Sequence, residues 1–154
     1  MTLKRWIIYL VVVLLLSTSF RGTDIAKLAP VEVVWLSESE GEVYLETDTG
    51  VSGKGDSVQG AYNNMKASAP GMIFLETADY LILQNGDEHL IAKTYDLLRP
   101  TCKVCSAQRI PDMESVASFL SAHKPDLVLR QYRVQQEALP ALEEKDGRFF
   151  WLES

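Results

Sequence analysis

Two cysteines and two histidines are all the thiol and imidazole that this chain of 154 residues carries, and their positions exclude more chemistry than they offer. A structural zinc centre takes four nitrogen or sulfur ligands. His89 lies 13 residues before Cys102 and His123 lies 18 after Cys105, so neither extends the cysteine pair into a ligand motif. No G-x-S-x-G turn is present to expose a serine nucleophile. Gly50, Gly53, Gly55 and Gly60 with Lys54 hint at a phosphate cradle, but the spacing of a P-loop is missing. TGVSGKGDS (49–57) therefore reads as a flexible connection. The acids are scattered, and none forms a pair set apart by spacing for glycoside hydrolysis. No catalytic, cofactor-binding or metal-ligating residue is assigned on these grounds.

Positive charge is also short. Fifteen basic residues face 21 acidic ones, a net charge of −6, which becomes −8 once Lys4 and Arg5 are removed. Such a surface is repelled by phosphate backbones and anionic lipid heads, which argues against nucleic acid or a basic membrane patch. No repeat of fixed period and no low-complexity tract interrupts the chain.

What is present begins with WIIYLVVVLLL (6–16), preceded by Lys4 and Arg5 and followed by Ser17, Thr18 and Ser19. The run has no polar side, so a buried amphipathic helix does not explain it. Its length falls short of the about 20 apolar residues that cross a bilayer comfortably. Basic start, apolar centre and small polar residues match a secretory signal, with a cleavage position before Phe20. Residues 1–20 are expected to be a signal peptide or an N-terminal membrane anchor, and both outcomes stay open. Residue 20 is not a cysteine, so lipid attachment there is excluded. The remainder, 21–154, has the length of one extracytoplasmic domain with a single core.

Within it, RGTDIAKLA (21–29) is a lead-in, followed by VEVVWL (31–36) and EVYLETD (42–48) as a hairpin across an acidic turn. Val43, Leu45 and Thr47 alternate with polar neighbours. Asp56 or Ser57 caps a helix with Val58, Ala61, Tyr62 and Met65 on one face. MIFL (72–75) and YLILQ (80–84) follow as apolar strand segments. Asp87 stands as N-cap of a helix over 88–98, Pro111 opens another that ends before Pro125, and TCKVCSAQRI (101–110) and DLVLRQYRV (126–134) read as strands. The tail from Gln135 is partly helical at best, with a turn at Asp146-Gly147. The expected fold is α/β (α+β): a mixed β-sheet of about four to five strands with three helices packed on it.

Two features remain as site candidates. Cys102 and Cys105 have the C-x-x-C spacing of a redox or disulfide pair. On a strand, however, residues three apart point to opposite faces. Two small core residues, a local disulfide in a turn and a redox centre are the three readings. Phe149, Phe150, Trp151 and Leu152 form the oddest apolar feature of the mature chain, either folded onto the sheet or exposed to a partner or membrane surface.

The export segment, DIAKLAPVEVVWL, the acidic hairpin, GDSVQGAYNNMKASAP, MIFLETADYLILQNG, the LLRP helix end and PDMESVASFL together resemble the N-terminal domain of the GerAC-type C subunit of spore germinant receptors. The resemblance covers most of 23–122. It implies an exported protein of spore germination that works with membrane-embedded A and B subunits. Members of that family carry a lipidated cysteine after the signal, where this chain has Phe20 and Arg21. They carry Gly-His before the strand DYLILQ, where this chain has Glu76 and Thr77. The expected role is a non-enzymatic protein-interaction module, with a small exported thiol-disulfide protein as the alternative. Its partners would be the membrane, through an uncleaved N-terminal helix, and germinant-receptor-type membrane proteins.

Overall fold

The computed structural model describes residues 6–8 and 28–152. Trp6, Ile7 and Ile8 are helical and exposed. The rest of the expected signal or anchor helix and the lead-in 21–27 lie outside the described residues. Among the described residues no helix is long and apolar enough to cross a membrane.

Among the described residues nine strands form: β1 (Leu28–Pro30), β2 (Val33–Ser39), β3 (Glu42–Thr47), β4 (Ser52–Gly55), β5 (Met72–Phe74), β6 (Tyr80–Gln84), β7 (Lys103–Ala107), β8 (Ala141–Lys145) and β9 (Arg148–Trp151). Within residues 28–152 three α-helices accompany them: α1 (Val58–Ser68), α2 (Met113–Ala122) and α3 (Leu129–Gln135). Seven strands make one sheet in the order β4-β3-β2-β6-β7-β8-β9, while β1 and β5 pair separately. The centre β2-β6-β7-β8 is parallel, and antiparallel strands close both sides. The mixed α/β class is as expected; the sheet is larger than the four to five strands anticipated.

Each sheet face has its own core, because side chains alternate along a strand. Val34, Leu36, Leu45, Leu81, Leu83 and Val104 face α1, the segment after β6 and α3. Val33, Trp35, Ile82, Cys105 and Leu142 face α2 through Met113, Val116 and Leu120. The central strands β2 and β6 are buried on both sides, which explains their unbroken apolar runs.

The two well-patterned helices form, the second starting at Met113 and not at Pro111, with Asp112 as its N-cap in place of a first-turn residue. Ser57 Oγ accepts the Gly60 N–H at the start of α1, and an Asp112 carboxylate oxygen accepts the Ser115 N–H at the start of α2. Four other segments correct the reading. Glu88–Lys93 is a 3-10 turn in place of the expected helix over 88–98. Asp87 does stand at its N-cap position, but the side chain makes no capping bond; its carboxylate accepts the Glu38 N–H instead. The buried Thr94 hydroxyl donates to the Ile91 carbonyl at 2.7 Å, a local bond that competes with regular winding.

DLVLRQYRV contains α3 where a strand was expected. Leu127 and Leu129 are buried, but the chain beyond is Arg, Gln and Arg, good helix formers that show only Tyr132 to the core. The tail forms the β8–β9 hairpin, not a partial helix. Its Asp146-Gly147 loop has φ of 52° and 72°, matching Glu40-Gly41 (55° and 78°) between β2 and β3. Two positive φ values in a two-residue loop suit the twist of a hairpin.

The glycine-rich loop 49–57 is the fourth correction, since its centre, Ser52–Gly55, is β4, lying directly under α1. A Cβ on Gly53 would come within 2.2 Å of the Ala61 carbonyl oxygen, and one on Gly55 within 2.5 Å of the Ala61 nitrogen. The glycines are there for backbone-to-backbone packing, not for flexibility.

Candidate functional site: the C-terminal edge strand

The C-x-x-C spacing falls on β7 and the residue before it. Cys102 and Cys105 are both free and fully buried. Cys102 joins the core on the α1 side and Cys105 the core on the α2 side. The sheet therefore stands between them, and a mutual disulfide would require β7 to leave its place. Burial pushes the Cys102 thiol up to about 12, against a smaller opposing pull from Arg99. Burial raises Cys105 as well. The thiolate is the reactive form. Both groups are thus held in the unreactive state, and a thiol-disulfide pair does not fit this placement.

The histidines sit apart from the thiols. His89 Nε2 lies 2.8 Å from a Glu38 carboxylate oxygen at the surface. His123 stacks on Phe119 with ring centroids 4.7 Å apart. Among the described residues no group of three or more His, Cys, Asp and Glu could hold a metal ion.

The terminal aromatic cluster is divided by the strand it occupies. β8 joins β7 in parallel through Ser106↔Ala141 and Ala107↔Leu142, and β9 returns antiparallel with Leu142↔Trp151 and Glu144↔Phe149. Alternation sends Phe149 and Trp151 to the α2 side and Phe150 to the other. Phe119 receives both rings, Phe149 at 5.7 Å and Trp151 at 5.9 Å between centroids, tilted by 45° and 48°. Tilted contacts of this kind are the favourable arrangement for aromatic quadrupoles. The Trp151 indole Nε1 donates to the His123 carbonyl at 3.2 Å, tying β9 to the end of α2. Phe150 and Leu152 stay 38% and 45% exposed.

β9 is the last strand in the sheet. The Leu152 N–H donates to the Ala141 carbonyl at 2.9 Å, so residues of that parity bond inward to β8. In an antiparallel ladder the intervening residues point their main-chain groups the other way. The N–H and C=O of Phe149 and Trp151 therefore face outward, and no described strand pairs with them. Beside the hairpin, past the end of β7, lies an open cleft of about 270 Å³ lined by Gln108, Arg109, Pro111, Leu142, Glu144 and Phe149.

The site thus combines an anchored strand, a free hydrogen-bonding edge and flanking apolar side chains. Sequence reading found the aromatic residues but not the edge. The Asp146-Gly147 pair was the available signal for it, because Asp-Gly between two short strands marks a two-residue hairpin. Comparison of the chain with protein-family models, with curated proteins and with solved structures finds no match in any of the three.

Proposed function

We propose that this chain is a non-enzymatic extracytoplasmic interaction module, carried to the membrane by its N-terminal apolar run, that takes an extended segment of a membrane-protein partner onto β9. The observation that carries this reading is the outward main-chain edge of Phe149 and Trp151, held rigid by Phe119 and the His123 carbonyl. Strand addition draws its affinity from main-chain bonds and its selectivity from alternate side chains. Here Phe150 and Leu152 supply the exposed side chains beside that edge. The resemblance to the C subunit of germinant receptors names the class of partner: the membrane-embedded subunits of such a receptor, with the chain as an accessory.

The test is co-purification of the full chain with its membrane partner from detergent extracts, for the native protein and for the double substitution Phe150→Lys and Leu152→Lys. Edge lysines oppose strand addition without touching the ladder to β8. The double variant is expected to keep its thermal midpoint and lose the partner. Equal recovery of the partner with both proteins would refute the proposal, and so would finding the intact chain free in the cytosol.

A further inference from the structure

β1 and β5 form a small parallel sheet away from the main one, with Leu28↔Met72 and Pro30↔Phe74 in register. Ile73 is buried, and the Tyr62 hydroxyl donates to its carbonyl at 3.1 Å. Met72 and Phe74, on the opposite parity, are 47% and 41% exposed. Together with Tyr62, Lys66 and Gly71 they line an open cleft of about 350 Å³. Lys66 holds its ammonium 4.3 Å from the centre of the Tyr62 ring, and Glu76 lines the same cleft.

Single exposed apolar side chains are ordinary on a protein surface. The position of this pair is what distinguishes it. Among the described residues β1 is the first strand after the expected anchor 1–20, and Leu28 follows Phe20 by only eight positions. Fully extended, they reach at most about 29 Å, at ~3.6 Å per residue. A globule of the described size has a radius of gyration of about 14 Å and so a diameter of roughly 36 Å. A tether shorter than the diameter keeps the end of the domain that bears β1 turned towards whatever holds the run.

The geometry points to a lipid surface as the occupant of this face. Met72 and Phe74 enter the boundary between headgroups and acyl chains, and the Lys66 ammonium meets a lipid phosphate. An interfacial contact of this kind combines apolar burial with attraction to anionic headgroups. Lys66 matters because the chain as a whole is acidic and is repelled from anionic lipid elsewhere on its surface. The docked face would leave the main sheet, with β9 at its end, held at a fixed attitude to the membrane. This inference rests on retention of the apolar run in lipid.

The experiment uses the full chain reconstituted into vesicles of phosphatidylcholine and phosphatidylglycerol, with the phosphatidylcholine brominated on its acyl chains near the headgroup. Trp6 lies in the apolar run and reports on the tether. Phe74→Trp and, separately, Met72→Trp report on the face, and Lys145→Trp in the β8–β9 turn serves as the comparison. Quenching of Trp6 and of the indole added at 72 or 74, with none of the indole added at 145, is the expected result. Quenched Trp6 with unquenched indoles at both 72 and 74 overturns the docking face while leaving the tether intact. Unquenched Trp6 overturns the inference together with the tethering on which it rests.

Discussion

The two ends of the seven-stranded sheet solve the same problem in opposite ways. At the β4 end, α1 lies on the strand so closely that Gly53 and Gly55 cannot carry side chains, and the Asn64 amide donates to the Lys54 carbonyl at 2.6 Å. There the helix covers the face of the strand and takes up the Lys54 carbonyl at its edge. At the β9 end, α2 supports the strand from one face only, through Phe119 and His123, and the main chain of Phe149 and Trp151 faces outward. An uncovered edge invites pairing with another chain, and proteins ordinarily blunt it. The lesson is that the fold has the means to close an edge and applies them at one side alone, which is why β9 carries the functional proposal.

The contrast can be broken most severely at β4. In Gly53→Ala the new methyl group meets the backbone of Ala61 and Met65 at 2.2 and 2.6 Å, and neither is the movable end of a side chain. Overpacking of this kind costs about 3 kcal/mol. Denaturant unfolding should show that loss, and α1 should lift enough for the β4 amides to exchange early. A change under 1 kcal/mol, on the same order-of-magnitude scale, would mean that the close approach is not structural.

At the other end, Phe119→Ala removes the ring on which Phe149, Trp151 and His123 rest. Phe119 is only partly buried, so a loss of about 2 kcal/mol is expected, below that of a full core phenylalanine. The sharper readout is local. Amides of the β8–β9 hairpin should lose protection while those of β2 and β6 keep theirs, and uniform loss across the sheet would contradict the picture of a separately buttressed edge.

The smallest effect concerns the pH response of α2, the helix beneath β9. The Asp112 carboxyl is held below its ordinary value by hydrogen bonds from the Ser115 side chain and backbone. A depressed acid stabilises the fold above its unfolded value and loses that contribution as pH falls through the folded one. The first turn of α2 is therefore expected to loosen only below the usual aspartate range. Asp112→Asn keeps an N-cap acceptor but should abolish this acid response. Amide exchange at Ser115 followed down the acid limb checks both statements.

The parts of this architecture legible in the sequence were those in which one element carries its own pattern. Val43, Leu45 and Thr47 alternate and are buried on β3; Val58, Ala61, Tyr62 and Met65 recur at helical spacing and are buried on α1. The segments misread take their state from distant partners. β4 has two glycines in four residues, a composition that opposes strand formation until α1 is placed on it. Residues 126–128 extend because Val104 donates to the Leu127 carbonyl and Lys103 bridges Val128, after which α3 begins. The aromatic cluster was visible as composition, but its division between two faces depends on register, which a shift of one residue would reverse. The open edge of β9 is a property of the whole strand order; locally, only the Asp146-Gly147 turn points to the hairpin that carries it.

Because α1 meets β4 main chain to main chain, what must persist for this corner to assemble is spacing: Gly53-x-Gly55, then a small residue at Ala61, six positions on. Neither hydrophobicity nor charge enters that requirement. A remote kinsman of this chain could replace nearly every outward side chain of the helix and still seat it, so such kin are better sought by the rhythm of their glycines than by overall likeness.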